Sequence, residues 1–298
     1  MLGTLWDARP LPSLPLPVTP DTRNHKAVAS HQSLTGWRKA LRTLRLGAHI
    51  VYGLLLAMRI KLNPRQSPEA LSSVWFGGLL DVLQLRVTVR GQPIEGARLM
   101  VANHISWLDI PVIGAQVGTR FISKADVAQW PVAGWLATAA GTFYLHRGKG
   151  GTRPLTDALV KHLRQGGSAV LFPEGTTTDG RGVRTFHARM FAAAVESAQP
   201  VQPIAIRYPP TADGSQPAPF IDDDHFLAHV RRLLRHEELQ VEIIFCEPIR
   251  TEGATRESVA KTARASVVNA LGMECNKAAA RTSPQADTTQ PQLDKISA

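Results

Sequence analysis

The stretch Asn103-His104-Ile105-Ser106-Trp107-Leu108-Asp109 lies between two short apolar runs, Leu99-Met100-Val101-Ala102 and Ile110-Pro111-Val112-Ile113. Apolar–polar–apolar organisation of this kind reads as a buried strand giving way to a helix through a tight connection. Five residues separate His104 from Asp109. On a continuous helix that spacing would turn the two side chains roughly 140° apart. They meet only if the connection is irregular and Asp109 enters the first helical turn. A histidine next to a carboxylate in that position has the parts of a general base and its orienting partner. Taken alone, the same pair also fits a surface histidine near a helix start.

Working outward, the period of the chain changes several times. Between Leu34 and Leu62, apolar or small residues recur at steps of three and four (Leu34, Trp37, Leu41, Leu44, Ala48, Val51, Leu55, Met58, Leu62), which is a helical stripe. Arg38, Lys39, Arg42 and Arg45 crowd its first half. The 13 residues Leu46–Met58 are apolar apart from His49, fewer than the roughly 20 that span a bilayer. A basic amphipathic helix with a tryptophan reads as lying on an anionic membrane; a core-packing helix and a spanning one are the alternatives. Ser67-Pro68-Glu69 signals a second helix start, running to about Leu83, so residues 33–84 form an expected helical hairpin.

From Leu85 the period is two, with Leu85, Val87 and Val89 alternating with Arg86, Thr88 and Arg90. Strands are then expected at 98–103, 119–123, 142–146, 168–172, 201–207 and 239–247. Helices are expected near 109–117, 131–139, 153–165, 186–198, 225–236 and 255–273. Such alternation predicts an α/β domain over 85–275, with a mixed, largely parallel central sheet flanked by helices. Residues 1–32, with five prolines in the first 20, read as a flexible leader rather than a signal peptide, and 276–298 as a disordered tail.

Composition narrows the partners. The chain has 298 residues and a net charge of +10, with aromatic residues at 6%. No nucleic-acid module is recognisable, so the positive charge suits lipid headgroups and phosphates better. The two cysteines, Cys246 and Cys275, do not make a disulfide framework or a metal site, and a reducing compartment is the default. Asp222-Asp223-Asp224-His225 reads as a helix N-cap rather than as metal ligands, so no metal and no cofactor are expected.

Three further segments complete the pattern: Gly141-Thr142-Phe143-Tyr144-Leu145-His146-Arg147, Phe172-Pro173-Glu174-Gly175-Thr176, and Val201-Gln202-Pro203-Ile204-Ala205-Ile206. With the first stretch, they resemble in order the four blocks of the glycerolipid acyltransferases (NHxSxxD, GxxFxxR, FPEGT and a VxPxxI-type strand). The resemblance covers Leu85 to Pro248. It implies transfer of a fatty acyl group from acyl-CoA or an acyl carrier protein to the sn-2 hydroxyl of lysophosphatidate, giving phosphatidate. His104 would be the base and Asp109 its partner. Arg147 would grip the acceptor phosphate, with Lys149 and Arg153 nearby. Gly175 and Thr176 would contact the acceptor, Glu174 would hold the turn or pair with Arg147, and Lys124 would neutralise the donor or the oxyanion. No GxSxG elbow supports an acyl-enzyme, so a ternary complex is expected.

One departure stands out. Where many relatives carry a phenylalanine followed by lysine and glycine, this chain has Phe186-His187-Ala188-Arg189. The shifted cation leaves open another lyso-lipid acceptor, such as a lyso-ornithine lipid. A catalytically silent lipid-binding protein and a hydrolase are the remaining readings. The expected location is the cytoplasmic face of the inner membrane, where both thioester donors occur.

Overall fold

The computed structural model describes residues 36–63, 65–145, 153–221 and 224–273. The leader 1–32, the tail 276–298, Cys275, Arg147, Lys149 and the pair Asp222-Asp223 lie outside those residues.

The chain opens with two helices, α1 (Gly36–Leu62) and α2 (Pro68–Leu83). Ser67 caps α2, its hydroxyl accepting from the Ala70 N–H at 3.2 Å, with Pro68 at the first helical position. The hairpin is closed by a reciprocal contact. Trp75 Nε1 donates to the His49 carbonyl at 3.1 Å, and His49 Nε2 donates to the Trp75 carbonyl at 2.9 Å. Gly53 makes room for this: a Cβ there would stand 2.4 Å from Trp75 Nε1.

Strands and helices then alternate: β1 (Leu85–Arg90), β2 (Arg98–Ala102), α3 (Asp109–Gln116), β3 (Arg120–Lys124), α4 (Ala133–Ala139), β4 (Phe143–Leu145) and α5 (Arg153–Arg164) come first. They are followed by β5 (Ser168–Leu171), α6 (Ala192–Ser197), β6 (Val201–Arg207), α7 (Phe226–Leu233), β7 (Leu239–Phe245) and α8 (Arg256–Ala270). The seven strands form one sheet in the order β1-β7-β6-β2-β5-β3-β4. Pairing is parallel except between β6 and β7, so β1 and β7 run against the other five.

Side-chain alternation divides the core between the faces. Met100 and Ala102 of β2 join Ile204 and Ile206 of β6 against α2, α3 and α7. Leu99 and Val101 turn the other way, with Ala169, Leu171 and Ala205, against α5, α6 and α8. The result is a mixed, largely parallel sheet flanked by helices, as expected, in three layers.

Two local expectations need correction. The helix anticipated over 186–198 is a 3-10 turn, Ala188–Phe191, followed by α6. Asp224, the described carboxylate of the acidic cluster, does not cap α7. His225 occupies the cap without a side-chain bond, and Asp224 instead pairs with Arg232 at 2.9 Å, about two turns along the helix surface, which the long guanidinium arm reaches back across.

Candidate active site

Five parallel strands end at one edge of the sheet, and ligands of open α/β sheets bind outside such carboxyl ends. The connection after β2 carries His104. Asn103 anchors it to β6 through a pair of bonds, its amide donating to the Ile206 carbonyl at 2.9 Å and accepting from the Ile206 N–H at 2.8 Å. Thr178 donates through its N–H to the His104 carbonyl at 2.9 Å. The expected irregular turn is therefore present, and α3 begins at Asp109 itself.

Within the turn, Asp109 Oδ2 accepts from His104 Nδ1 at 2.8 Å, from the Ile105 N–H at 2.7 Å and from the Ser106 N–H at 3.0 Å. Its other oxygen, Oδ1, accepts from the Tyr208 hydroxyl at 2.8 Å. The carboxylate is fully buried. With Nδ1 donating, Nε2 of His104 is the acceptor-capable nitrogen, and the imidazole is partly open to solvent. The ring stacks on Phe172, centroids 3.9 Å apart and planes 16° from parallel, which limits its rotation. Burial and the Asp109 charge hold the Tyr208 phenol well above its usual range, so it remains a donor.

Glu174, expected to hold the turn or pair with Arg147, points inward. Oε1 accepts from the His104 N–H at 2.8 Å and Oε2 from the Arg184 N–H at 2.7 Å. Burial raises its carboxyl above the ordinary value, while the two main-chain donors pull it back down. Of the two roles anticipated for it, holding the turn is the one these bonds perform. Gly175 sits at φ +73°, and the nearest atom to a Cβ placed there would be His187 Cδ2 at 3.6 Å. Conformation, not space, calls for glycine. Thr176 is exposed beside it, and Lys124 is exposed at the end of β3 on the same sheet edge. Arg153, anticipated as a spare cation, is engaged with Asp157 at 2.7 Å and Glu196 at 3.1 Å.

Sequence reasoning missed three contributors. Tyr208, directly after β6, carries a hydroxyl in an otherwise apolar position, which was the available signal. Phe172 opens the third block, which gave it no role of its own, and nothing in the sequence pointed to the Trp107–His229 pair. Trp107 Nε1 donates to His229 Nδ1 at 3.0 Å, and His229 Nε2 donates to the Ala218 carbonyl at 3.1 Å. That fixes the tautomer of a fully buried imidazole, whose burial pushes its pKa below the usual value.

A mixed sheet with flanking helices, together with the four ordered sequence blocks, defines the class of α/β acyltransferases. The comparisons agree. The family model described as Acyltransferase matches residues 86–207. A lyso-ornithine lipid O-acyltransferase of Pseudomonas aeruginosa is 42% identical over 241 residues, covering 78% of this chain and 93% of that protein. A 1-acyl-sn-glycerol-3-phosphate acyltransferase of Neisseria meningitidis is 33% identical over 135 residues, 44% of this chain and 52% of that one. The crystal structure of the Thermotoga maritima 1-acyl-sn-glycerophosphate acyltransferase PlsC superposes with a TM-score of 0.57 at 21% identity, covering 83% of this chain and 97% of that one. The chain belongs to the glycerolipid and lysophospholipid acyltransferase family.

Proposed function

We propose that this protein is a lyso-lipid O-acyltransferase whose acceptor is lyso-ornithine lipid, with His104 as general base. The observation carrying the mechanism is the 2.8 Å bond from Nδ1 to a fully buried Asp109, which leaves Nε2 as the proton acceptor. Nε2 takes the proton of the acceptor hydroxyl as its oxygen attacks the thioester carbonyl. The C–S bond then breaks, and the imidazolium returns the proton to the departing thiolate. Asp109 holds the tautomer and stabilises the imidazolium between the two steps. Lys124, at the end of β3 on the same edge, would offset charge on the donor or the oxyanion. Arg147 is the candidate for the acceptor's anionic group, and Thr176 offers a hydroxyl to it. The donor is acyl-CoA or an acyl carrier protein thioester.

The acceptor is ranked by relatedness. The 42% relative, matched over 93% of its length, is a lyso-ornithine lipid enzyme, and relatives from Rhodobacter capsulatus and Brucella abortus bear the same description. Phe186-His187-Ala188-Arg189 fits that ranking, because an ornithine headgroup mixes positive and negative charge where lysophosphatidate offers phosphate. Lysophosphatidate is the second reading, favoured by the Neisseria relative.

The acceptor is a membrane lipid, and α1 supports docking on an anionic bilayer. It is long and apolar enough to cross a membrane by length and composition, yet only 11% of its apolar window is buried. Trp37, Leu41, Leu44, Val51, Leu55, Met58 and Leu62 are all exposed along one stripe. That stripe supports membrane attachment, and the site where thioester donors are made favours the cytoplasmic face of the inner membrane.

The test is acyl transfer by purified protein in detergent, offering oleoyl-CoA and a carrier-protein thioester to lyso-ornithine lipid and lysophosphatidate in parallel. Acylated ornithine lipid that disappears in His104→Ala is the expected result. Product from lysophosphatidate alone would move the assignment to the second reading. His104-dependent free fatty acid without ester would indicate a hydrolase, and absence of all turnover a silent lipid-binding protein.

A further inference from the structure

Asp109 receives four hydrogen bonds, three on Oδ2 and one on Oδ1. The two main-chain donors come from its own loop and are fixed by the fold. Tyr208 is different. It reaches Oδ1 from the end of β6, 99 residues away in sequence, and its ring is buried among the apolar side chains under the site. A hydroxyl kept in that surrounding needs an acceptor, and this one ends on the carboxylate that orients the base.

We propose that Tyr208 is a positioning residue of the His104–Asp109 pair, setting through its bond to Oδ1 how strongly Asp109 draws on the imidazole N–H. This rests on the reading of His104 as the base. A donor on Oδ1 spreads the carboxylate's charge and weakens what Oδ2 offers to Nδ1–H. The imidazole then retains less of the proton it must hand to the leaving thiolate. Among the described residues, the other ionisable groups facing the pair have other partners. Glu174 faces the turn from the end of β5, with both oxygens on main-chain N–H groups. His229 of α7 reaches only Trp107 and the Ala218 carbonyl. Arg207, next to Tyr208, is paired with Glu242 on β7.

The experiment compares wild type, Tyr208→Phe and Tyr208→3-fluorotyrosine, the last a more acidic phenol of nearly the same shape. Two readouts are taken: the pH profile of kcat/KM for acyl transfer, and the low-field NMR resonance of the His104 Nδ1 proton, assigned by its loss in His104→Ala. Removing the hydroxyl leaves Asp109 one donor short. The acidic limb of the profile should therefore move up by about half a pH unit, a roughly threefold change in the operating equilibrium, and the resonance should move downfield. Fluorination should move both the opposite way, and that arm serves alone if Tyr208→Phe does not fold. A purely structural Tyr208 would change stability while leaving limb and resonance in place, and that result overturns the proposal, as would shifts of the same sign in both variants. Absence of wild-type turnover would defeat the functional reading instead, and the resonance would still report on Tyr208.

Discussion

A carboxylate with both oxygens bound to main-chain N–H groups responds to mutation differently from one that waits for a ligand, and Glu174 is of the first kind. In Glu174→Gln one oxygen becomes an N–H₂ group facing a backbone N–H, either that of His104 or that of Arg184. A buried donor left unpaired costs about 1–3 kcal/mol, and here the cost falls on the turn that aims the imidazole. The expected outcome is lower stability in urea together with a kcat reduced far more than KM is raised. Wild-type kcat with a raised KM would instead make Glu174 an acceptor contact. His229 offers a pH test at the same scale. Burial, and after it the Arg232 charge, lowers its folded-state pKa. The unfolded chain therefore binds the proton more readily, and its stabilising effect is lost as pH falls below the ordinary histidine value of about 6.5. Protonation would also make Nδ1 a donor facing the Trp107 N–H. The melting temperature should fall between pH 7.5 and 5.5. His229→Gln, which keeps one donor and one acceptor and does not titrate, should flatten that slope; an unchanged slope would exonerate His229.

Among the elements, α1 is held to the domain by a residue the sequence hides among its neighbours. Arg38, Lys39, Arg42 and Arg45 look alike in a helical stripe, yet Arg42 is buried and donates to the carbonyls of Leu83 at 2.9 Å, Leu234 at 3.2 Å and His236. It closes the last turn of α2 and the turn after α7 at once. Arg42→Ala strands those carbonyls and should cost at least about 2 kcal/mol, with α1 becoming the first site cut in limited proteolysis. Arg42→Lys should recover little, since one ammonium cannot reproduce the fork. Unchanged protease resistance in Arg42→Ala would show that the Trp75–His49 clasp suffices. The contrast explains what was legible. Strands, helices and the His104–Asp109 turn follow from period, capping residues and spacing, which are local. The reversed direction of β1 and β7, the inward turn of Glu174 and the reach of Tyr208 and Arg42 depend on partners about 40 to nearly 200 positions away, and one sequence carries no signal of that pairing.

For the whole molecule, the question is how a soluble-type α/β sheet meets an insoluble acceptor. α4 packs against α1, and an aromatic run connects the two sides of the site: Trp107 in the His104 turn lies 5.1 Å from Phe226, which lies 6.2 Å from Trp130. Trp130, Val132 and Trp135 are exposed, so the apolar surface of α1 is continued by an element bordering the site. The net charge of +10 would add attraction to anionic lipid. These two contributions separate by their response to salt, because charge attraction is screened over about 10 Å at 0.1 M and over about 3 Å at 1 M, while burial of apolar side chains is not weakened. Binding to phosphatidylglycerol-containing vesicles should therefore fall with added NaCl to a plateau rather than to zero. Replacing Leu44, Val51, Leu55 and Met58 together by serine should remove that plateau. Those side chains are at least 45% exposed, so folding and turnover of detergent-dispersed acceptor should survive while turnover of acceptor held in vesicles falls more than about tenfold. A plateau that persists in the quadruple variant would place the apolar contact elsewhere, with the Trp130–Trp135 segment next in line. A loss of turnover in detergent as well would mean that the stripe supports the fold or the acceptor site, not the membrane contact.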